Sequence, residues 1–368
     1  MSNTKILLIV IKDADWFFSH RLPAAIEAQQ RGYRVIVTVP LKNDDKRFAA
    51  HGFEVVSTTN NPVFFVYQLK KIIEEMKPSI VHIFCCQYVL LAGVLCRVIH
   101  YKSTVFTLAG LGFLFQPNNI KAKVLKWLSM PYLRYALSKA SAKIIVQNAD
   151  NARTLLTYKL CKAKQMRIIQ GSGVDLNYFS ASSMPKEPIK TVLMASRLLR
   201  SKGTIEFCQA AQLLKKQDIQ AKFILAGGFY PKHPDALHPS DIEIYRQSET
   251  IEYVGQVKDM ASLMRQAYMV VLPSYYPEGL PKVLLEAAAS ARPIVTTDHT
   301  GCRDIVDNGK EGLLVPIQNP EALAEAIKEL LLDESKAAAM GKAGRERVEH
   351  GHDAQIIAKK TCDVYEEM

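Results

Sequence analysis

Several features are missing from this chain of 368 residues, and each absence removes a class of protein. Its seven cysteines include no C-x-x-C pair, and their odd number argues for reduced thiols in a cytoplasmic compartment rather than a disulfide framework. No apolar run reaches the roughly 18 clean residues that a membrane span needs. The most apolar stretch, Ile80 to Ile99, is interrupted by His82, Gln87 and Arg97 and reads as a buried strand followed by a helix, with Cys85 and Cys86 packed in a core. The N-terminus passes from MSNTK straight into the strand-like KILLIVI, with no signal-peptide pattern. No short-period repeat is visible. Acidic residues are scarce in the first half: residues 1–170 hold 24 Lys and Arg against 9 Asp and Glu, a net of +15, whereas the remainder holds 23 against 27. A basic half faces an anionic partner. This half has neither zinc-ligand spacing nor an aromatic–basic RNA motif, so an anionic membrane surface or lipid phosphate is favoured over nucleic acid.

What is present is the composition of a soluble globular protein, 48% hydrophobic and 23% charged, at a length that calls for two domains. Strand and helix alternate throughout. Lys5–Ile11 reads as a strand, Lys12–Phe18 as a loop, and Ser19 as the N-cap of a helix from His20 to about Arg31 that tolerates Pro23 in its first turn. Tyr33–Val39 is the next strand, which implies a parallel sheet with right-handed crossovers. His20 and Arg21 then stand at a helix N-terminus beyond the strand ends, where open α/β sheets bind ligands. Ile120–Lys139 is a helical pattern broken near Pro131. It interleaves Lys121, Lys123, Lys126, Arg134 and Lys139 with apolar residues, and reads either as a membrane-interface helix or as a core-facing helix with a solvated basic side. The polar stretch Ser180–Pro188 is the expected linker. The expected architecture is α/β: two doubly wound Rossmann-like domains, about 1–175 and 190–350, facing across a cleft, with a last helix at about 352–368 able to pack back on the first.

The stretch Val271–Pro293 organises the second half. An apolar strand ends at Pro273, a Pro/Gly-rich loop carries Glu278, and a helix from about Leu280 carries Glu286 and stops at Pro293. A loop before a helix offers free amides and the positive end of the macrodipole, a seat for an anion. Carboxylates beside that seat suit a hydroxylated neighbour, as in a sugar joined to a diphosphate. Ser196–Gly203 follows another strand, so Arg197 and Lys202 can converge on the diphosphate. The Gly227–Gly228 pair permits close backbone approach, and Val254–Val257 ends a further strand and can meet a nucleobase edge. In the first half, Gly110 and Gly112 after a strand are either a turn or a second close-approach element.

From Arg197 to Pro316 the chain resembles the nucleotide-sugar domain of retaining glycosyltransferases of family 4, which have the GT-B fold. The carrying residues are Arg197-x4-Lys202-Gly203, the Gly227–Gly228 pair, PSYYPEGLPKVLLEA with Glu278-x7-Glu286, and TTDHTGCRDIVDNGKEGLLVP. Trp16–Pro23, Gly32-Tyr33 and Gly110–Phe115 resemble the bacterial subgroup that builds surface polysaccharides or glycans on polyprenyl-diphosphate carriers. The resemblance implies that Glu286 binds the ribose hydroxyls, Glu278 the donor-sugar hydroxyls, and Arg197 and Lys202 the diphosphate. Amides around Gly279–Leu280 assist, Pro281 adjoins the donor beside them, Val257 lies near the base, and Gly110, Gly112, Gly227 and Gly228 line the donor. It departs from the family where Leu108-Ala109-Gly110 stands in place of a cleft histidine, which leaves His20 as the substitute catalytic side chain. Ser19, His20 and Arg21 are the expected acceptor contacts. No D-x-D of the type that metal-dependent sugar transferases use is found, so neither metal nor cofactor is expected.

The implied function is a metal-independent, retaining glycosyltransferase, peripheral on the cytoplasmic face of the plasma membrane. It would move a hexose or N-acetylhexosamine from a UDP-sugar to a lipid-linked saccharide. A sugar-nucleotide epimerase or a glycan phosphorylase on the same fold is the alternative.

Overall fold

The computed structural model describes residues 5–41, 45–110, 115 and 120–368. The apolar runs form two parallel sheets. The first holds β1 (Ile6–Val10), β2 (Arg34–Val39), β3 (Glu54–Ser57), β4 (Ile80–Phe84), β5 (Thr104–Leu108), β6 (Lys143–Val146) and β7 (Met166–Ile168), in the order β3-β2-β1-β4-β5-β6-β7. The second holds β8 (Lys190–Ala195), β9 (Ala221–Ala226), β10 (Glu252–Gly255), β11 (Met269–Leu272), β12 (Ile294–Thr297) and β13 (Gly312–Val315), in the order β10-β9-β8-β11-β12-β13. Helices cover both faces, which is why β4 and β11 are buried along their whole length and read as unbroken apolar runs. Strand order reverses beside β1 in one sheet and beside β8 in the other. Such switch points open a crevice outside the carboxyl ends of the strands.

The chain divides into two compact units. One comprises Met1–Gly173, Pro277–Gly279 and Ala354–Met368; the other comprises Val174–Tyr276 and Leu280–Asp353. The division therefore falls at Gly173–Val174, ahead of Ser180–Pro188. That stretch is irregular but belongs to the second unit, where Arg292 Nη2 donates to the carbonyls of Ser182 (3.2 Å) and Ser183 (3.0 Å). The final helix Ala354–Glu366 belongs to the first unit, with Arg31 paired to Asp363 (2.8 Å) and Glu366 (2.6 Å).

Local chemistry overrides the sequence reading in three places. The first helix begins at Ala14, because Asp13 accepts from Trp16 N (2.7 Å) and caps it; Ser19 is inside its last turn and caps nothing. A second helix, Leu22–Gln30, starts afresh with Pro23 in its first turn. Helix Ile120–Leu137 runs unbroken through Pro131, where the carbonyl of Trp127 loses its donor on an exposed turn that water can reach. Cys85 and Cys86 are partly buried and pack against the core of the first unit, as expected, and Cys85 has a positive φ of 68°.

Gly227 shows how tightly the second crevice is built. Its φ is 143°, and a Cβ there would collide with the carbonyl oxygen of Ser196. Gly227→Ala is expected to cost about 3 kcal/mol from strain and clash together. Calorimetry should show a Tm lower by about 6–12 °C; an unchanged Tm would mean that the loop yields freely.

Candidate active site

The loop after β8 is fixed before any ligand arrives. Leu198 and Leu199 are fully buried, and Leu198 N donates to Gly228 O (3.0 Å), so Arg197 between them is turned outward. A 3-10 turn, Arg200–Lys202, follows and closes on Gly203, whose φ of 79° and proximity to Pro273 exclude a side chain. Ser201 is the hub. Its N–H and hydroxyl both donate to Asp235, and its carbonyl accepts from Tyr275 N (2.8 Å) and the Ser274 hydroxyl (3.4 Å). Three loops at the carboxyl edge are thereby tied together.

Arg197 is exposed, whereas Lys202 is only 7% exposed. One ring spaces them: the Arg197 guanidinium lies 5.9 Å from the Tyr276 centroid and Lys202 Nζ lies 5.5 Å from it. Tyr230 flanks Arg197 at 5.8 Å. Cations over aromatic faces stay charged while part of their hydration is removed, which suits them to a polyanion. The His233 ring lies tilted by 55° against Tyr276, with 6.1 Å between centroids, and burial, then the Arg197 charge, hold its pKa below the usual histidine range. Asp235 N donates to His233 Nδ1 (3.1 Å), which leaves the proton on Nε2.

Beside this loop lies a cavity of about 180 Å³, the size of a sugar ring rather than of a whole elongated ligand. Arg197, Gly227, Gly228, Val257 and Glu286 all line it, as do Tyr230 and Gln256. Glu286 projects from helix Lys282–Ala289 with its side chain 13% exposed and Lys282 Nζ 3.4 Å away. Burial raises the Glu286 pKa, and Lys282 opposes that rise. A desolvated carboxylate of this kind suits hydroxyl donors from a ligand. Lys202, Glu278, Gly279, Leu280 and Pro281 do not line the cavity. Leu280 is buried, and Pro281 is the N-cap residue of the helix, which begins at Lys282 rather than Leu280.

Glu278 and Gly279 group with the first unit. Asn148 Nδ2 donates to Gly279 O (2.6 Å) and Glu278 O (3.4 Å), and a Cβ on Gly279 would collide with Ala109 O. The Cβ position of Gly110 lies 3.0 Å from Gly279 N. Gly112 lies outside the described residues.

His20 and Arg21 do not sit in the first turn of a helix. His20 ends helix Ala14–His20, stacked on Trp16 at 5.3 Å and 2.6 Å from the Ser19 hydroxyl. Arg21, at the junction with the next helix, is 4% exposed. Its guanidinium lies between Phe84 (4.8 Å) and Trp16 (5.0 Å), its Nε and Nη2 have no hydrogen-bond partner, and burial pushes its pKa down to about 10. Beneath it His82 is fully buried between the Tyr365 hydroxyl and the Thr107 hydroxyl, both at 2.7 Å.

Sequence reasoning missed Tyr230, His233 and Asp235. They lie in an aperiodic segment before the unforeseen helix Ser240–Gln247; the aromatic and histidine residues directly after the Gly227–Gly228 pair were the available signal. Asp13-Ala14-Asp15 is a D-x-D in letters, but Asp13 caps a helix and Asp15 pairs with Arg47 (2.7 Å). Among the described residues, no cluster of His, Cys, Asp and Glu is arranged to hold a metal ion.

Two family models match the chain: "Glycosyl transferases group 1" over residues 179–347 and "Glycosyl transferase 4-like" over residues 5–148. One similar protein is the N,N'-diacetylbacillosaminyl-diphospho-undecaprenol alpha-1,3-N-acetylgalactosaminyltransferase of Campylobacter jejuni, 29% identical over 70% of this chain and 68% of its own length. The capsular polysaccharide biosynthesis glycosyltransferase CapM of Staphylococcus aureus is 25% identical over 64% of each chain. Among solved structures, Anabaena Alr3699/HepE in complex with UDP-glucose superposes with a TM-score of 0.80 at 18% identity, covering 99% of this chain and 100% of the other.

Proposed function

We propose a function from one premise: the chain belongs to glycosyltransferase family 4 and has the GT-B fold. It moves a hexose or N-acetylhexosamine from a UDP-sugar to a saccharide on a polyprenyl diphosphate, with retention of configuration, in the assembly of a bacterial surface polysaccharide or glycan. The observation that carries the donor half is a cavity in the second unit lined by Arg197, Gly227, Gly228, Val257 and Glu286. Glu286 takes the ribose hydroxyls, Val257 lies at the base, and Arg197 and Lys202 take the diphosphate. Glu278 takes hydroxyls of the transferred sugar, with the amides at Gly279 and Leu280 beside the phosphates. Two cations and a helix N-terminus stabilise the departing diphosphate as its charge develops, without a metal. The UDP-glucose complex of the Anabaena protein supports the choice of base.

For the acceptor half, support comes from the Campylobacter relative, whose name specifies a diphospho-undecaprenol acceptor. Two buried, unpartnered donors of Arg21 also suit an anion, with Ser19 and His20 adjoining. The basic first half favours work at the cytoplasmic face of the plasma membrane, and no helix among the described residues is long and apolar enough to cross it.

The test is direct. Given UDP-sugars and a polyprenyl-diphosphate saccharide, the chain is expected to release UDP only when acceptor is present, and NMR should show the donor's anomeric configuration in the product. Conversion of the donor without acceptor would replace this reading with an epimerase, and an inverted linkage would remove the retaining mechanism.

A further inference from the structure

Helix Pro62–Met76 is capped by the Asn61 side chain, which accepts from Val63 N (3.0 Å) and Phe64 N (3.3 Å). Phe65, Leu69, Ile72 and Ile73 form the buried face, so Val63, Phe64 and Tyr67 are turned to solvent, with Phe64 65% exposed. Helix Ile120–Leu137 is built alike: Leu133, Ala136 and Leu137 hold it to the core, while Val124, Leu125, Trp127 and Leu128 are exposed, Trp127 by 75%. Apolar residues exposed singly are ordinary, but a cluster of this size marks an interaction surface.

The fold places these two clusters on the same side. Both helices pack into one core on one face of the first sheet, flanking the helical segment Cys86–Val98. Each follows the carboxyl end of a strand, β3 and β5 respectively, so their N-terminal turns lie at the carboxyl edge. Ile120–Leu137 has 18 residues, about 27 Å of helix, against about 16 Å for the five residues of β5. Its first turns therefore project beyond the sheet, where no core can cover them.

Charge identifies the occupant. Between Glu75 and Asp150 the chain has no carboxylate side chain, and Lys77, Arg97, Lys102, Lys121, Lys123, Lys126, Arg134, Lys139 and Lys143 fall in that interval. Lys123 and Arg134 are exposed on the projecting helix itself. On helix Pro62–Met76 the exposed Lys70 and Lys71 pair with Glu74 and Glu75, whereas helix Ile120–Leu137 borders its apolar strip with cations and has no carboxylate, which complements an acidic lipid bilayer, the apolar residues entering the interface and the cations meeting headgroups. A second copy of this chain would bring like charges face to face.

We propose that the N-terminal turns of helices Pro62–Met76 and Ile120–Leu137 form a two-point anchor on acidic membranes, with Phe64, Tyr67, Trp127 and Leu128 inserted and the carboxyl edge of the first sheet turned toward the lipid headgroups. This deepens the reading of a lipid-linked acceptor: the edge expected to meet the acceptor is the edge held at the bilayer.

The test is sedimentation of the full chain with vesicles that contain neither donor nor acceptor, which separates it from the transfer assay. The chain is expected to bind phosphatidylglycerol vesicles and to bind phosphatidylcholine vesicles at least about tenfold less well. The double variants Phe64→Ser with Tyr67→Ser and Trp127→Ser with Leu128→Ser should each weaken binding about tenfold or more. Their Tm and their turnover of a water-soluble acceptor should match the parent, since these side chains are exposed. Failure to bind phosphatidylglycerol, or full binding by both variants, would overturn the proposal. So would a dimer in solution that both variants dissolve without any vesicle binding. Vesicle binding with no transfer to a lipid-linked saccharide would leave the anchor standing and remove the proposed acceptor.

Discussion

Lys202→Met is expected to lower nucleotide-sugar turnover on the order of 10³-fold, mostly in kcat, with the fold intact. The substitution nearly conserves length and removes only the charge, so loss of packing cannot account for the effect. The size of the loss follows from burial. A cation 7% exposed acts through a medium of lower dielectric than water, and it is set in place by the closed turn Arg200–Lys202 before any ligand arrives. In the proposed role its charge opposes that on the departing diphosphate, which is larger in the transition state than in the bound donor, and only such a difference raises kcat. Arg197 is exposed, so Arg197→Met should cost less, on the order of tenfold, and more in KM. Steady-state UDP release measures both. Lys202→Met within tenfold of the parent, at an unchanged Tm, would remove Lys202 from the chemistry.

The two units were not equally legible from the sequence. In the second, Arg197, Gly227 and Gly228 directly follow the buried ends of β8 and β9, and a run such as Met269–Leu272 announces both the strand and where it stops. Gly203 and Gly227 mark the close approaches, because no other residue fits their conformations. The segment bearing Tyr230, His233 and Asp235 has no period, and its place in the site depends on the Ser201–Asp235 hydrogen bonds, which no spacing encodes. Helix Ser240–Gln247 escaped because only Ile242 on it is buried, too little for an apolar stripe. In the first unit, the competition between Asp13 and Ser19 for the cap is decided by geometry. The burial of Arg21 depends on Trp16, Phe84 and the distant Tyr365, so position alone could nominate Arg21 without revealing that its guanidinium lies between two rings.

Glu286→Gln should separate function from stability in one variant. Burial raises the folded-state pKa of Glu286 above its unfolded value. In the window between those values the folded state holds a proton that the unfolded state has released, so the stability owed to this group falls as pH rises through the window. Above it the folded chain carries a desolvated carboxylate that Lys282, at 3.4 Å, only partly offsets. The glutamine variant has no such charge. Its Tm is therefore expected to exceed the parent's near pH 8, and the gap should narrow in acid as the parent's carboxylate takes up a proton. Turnover should move the other way. Two hydroxyls that lose a charged acceptor forfeit about 3 kcal/mol, on the order of 10²-fold in donor affinity, and the Tm rise produced by UDP should shrink with it. A residue retained for packing or structural pairing would lose stability on this change and keep its turnover. That opposite pair of signs, read from calorimetry with and without UDP and from UDP release, would return Glu286 to the scaffold and leave the cavity without its proposed ribose acceptor.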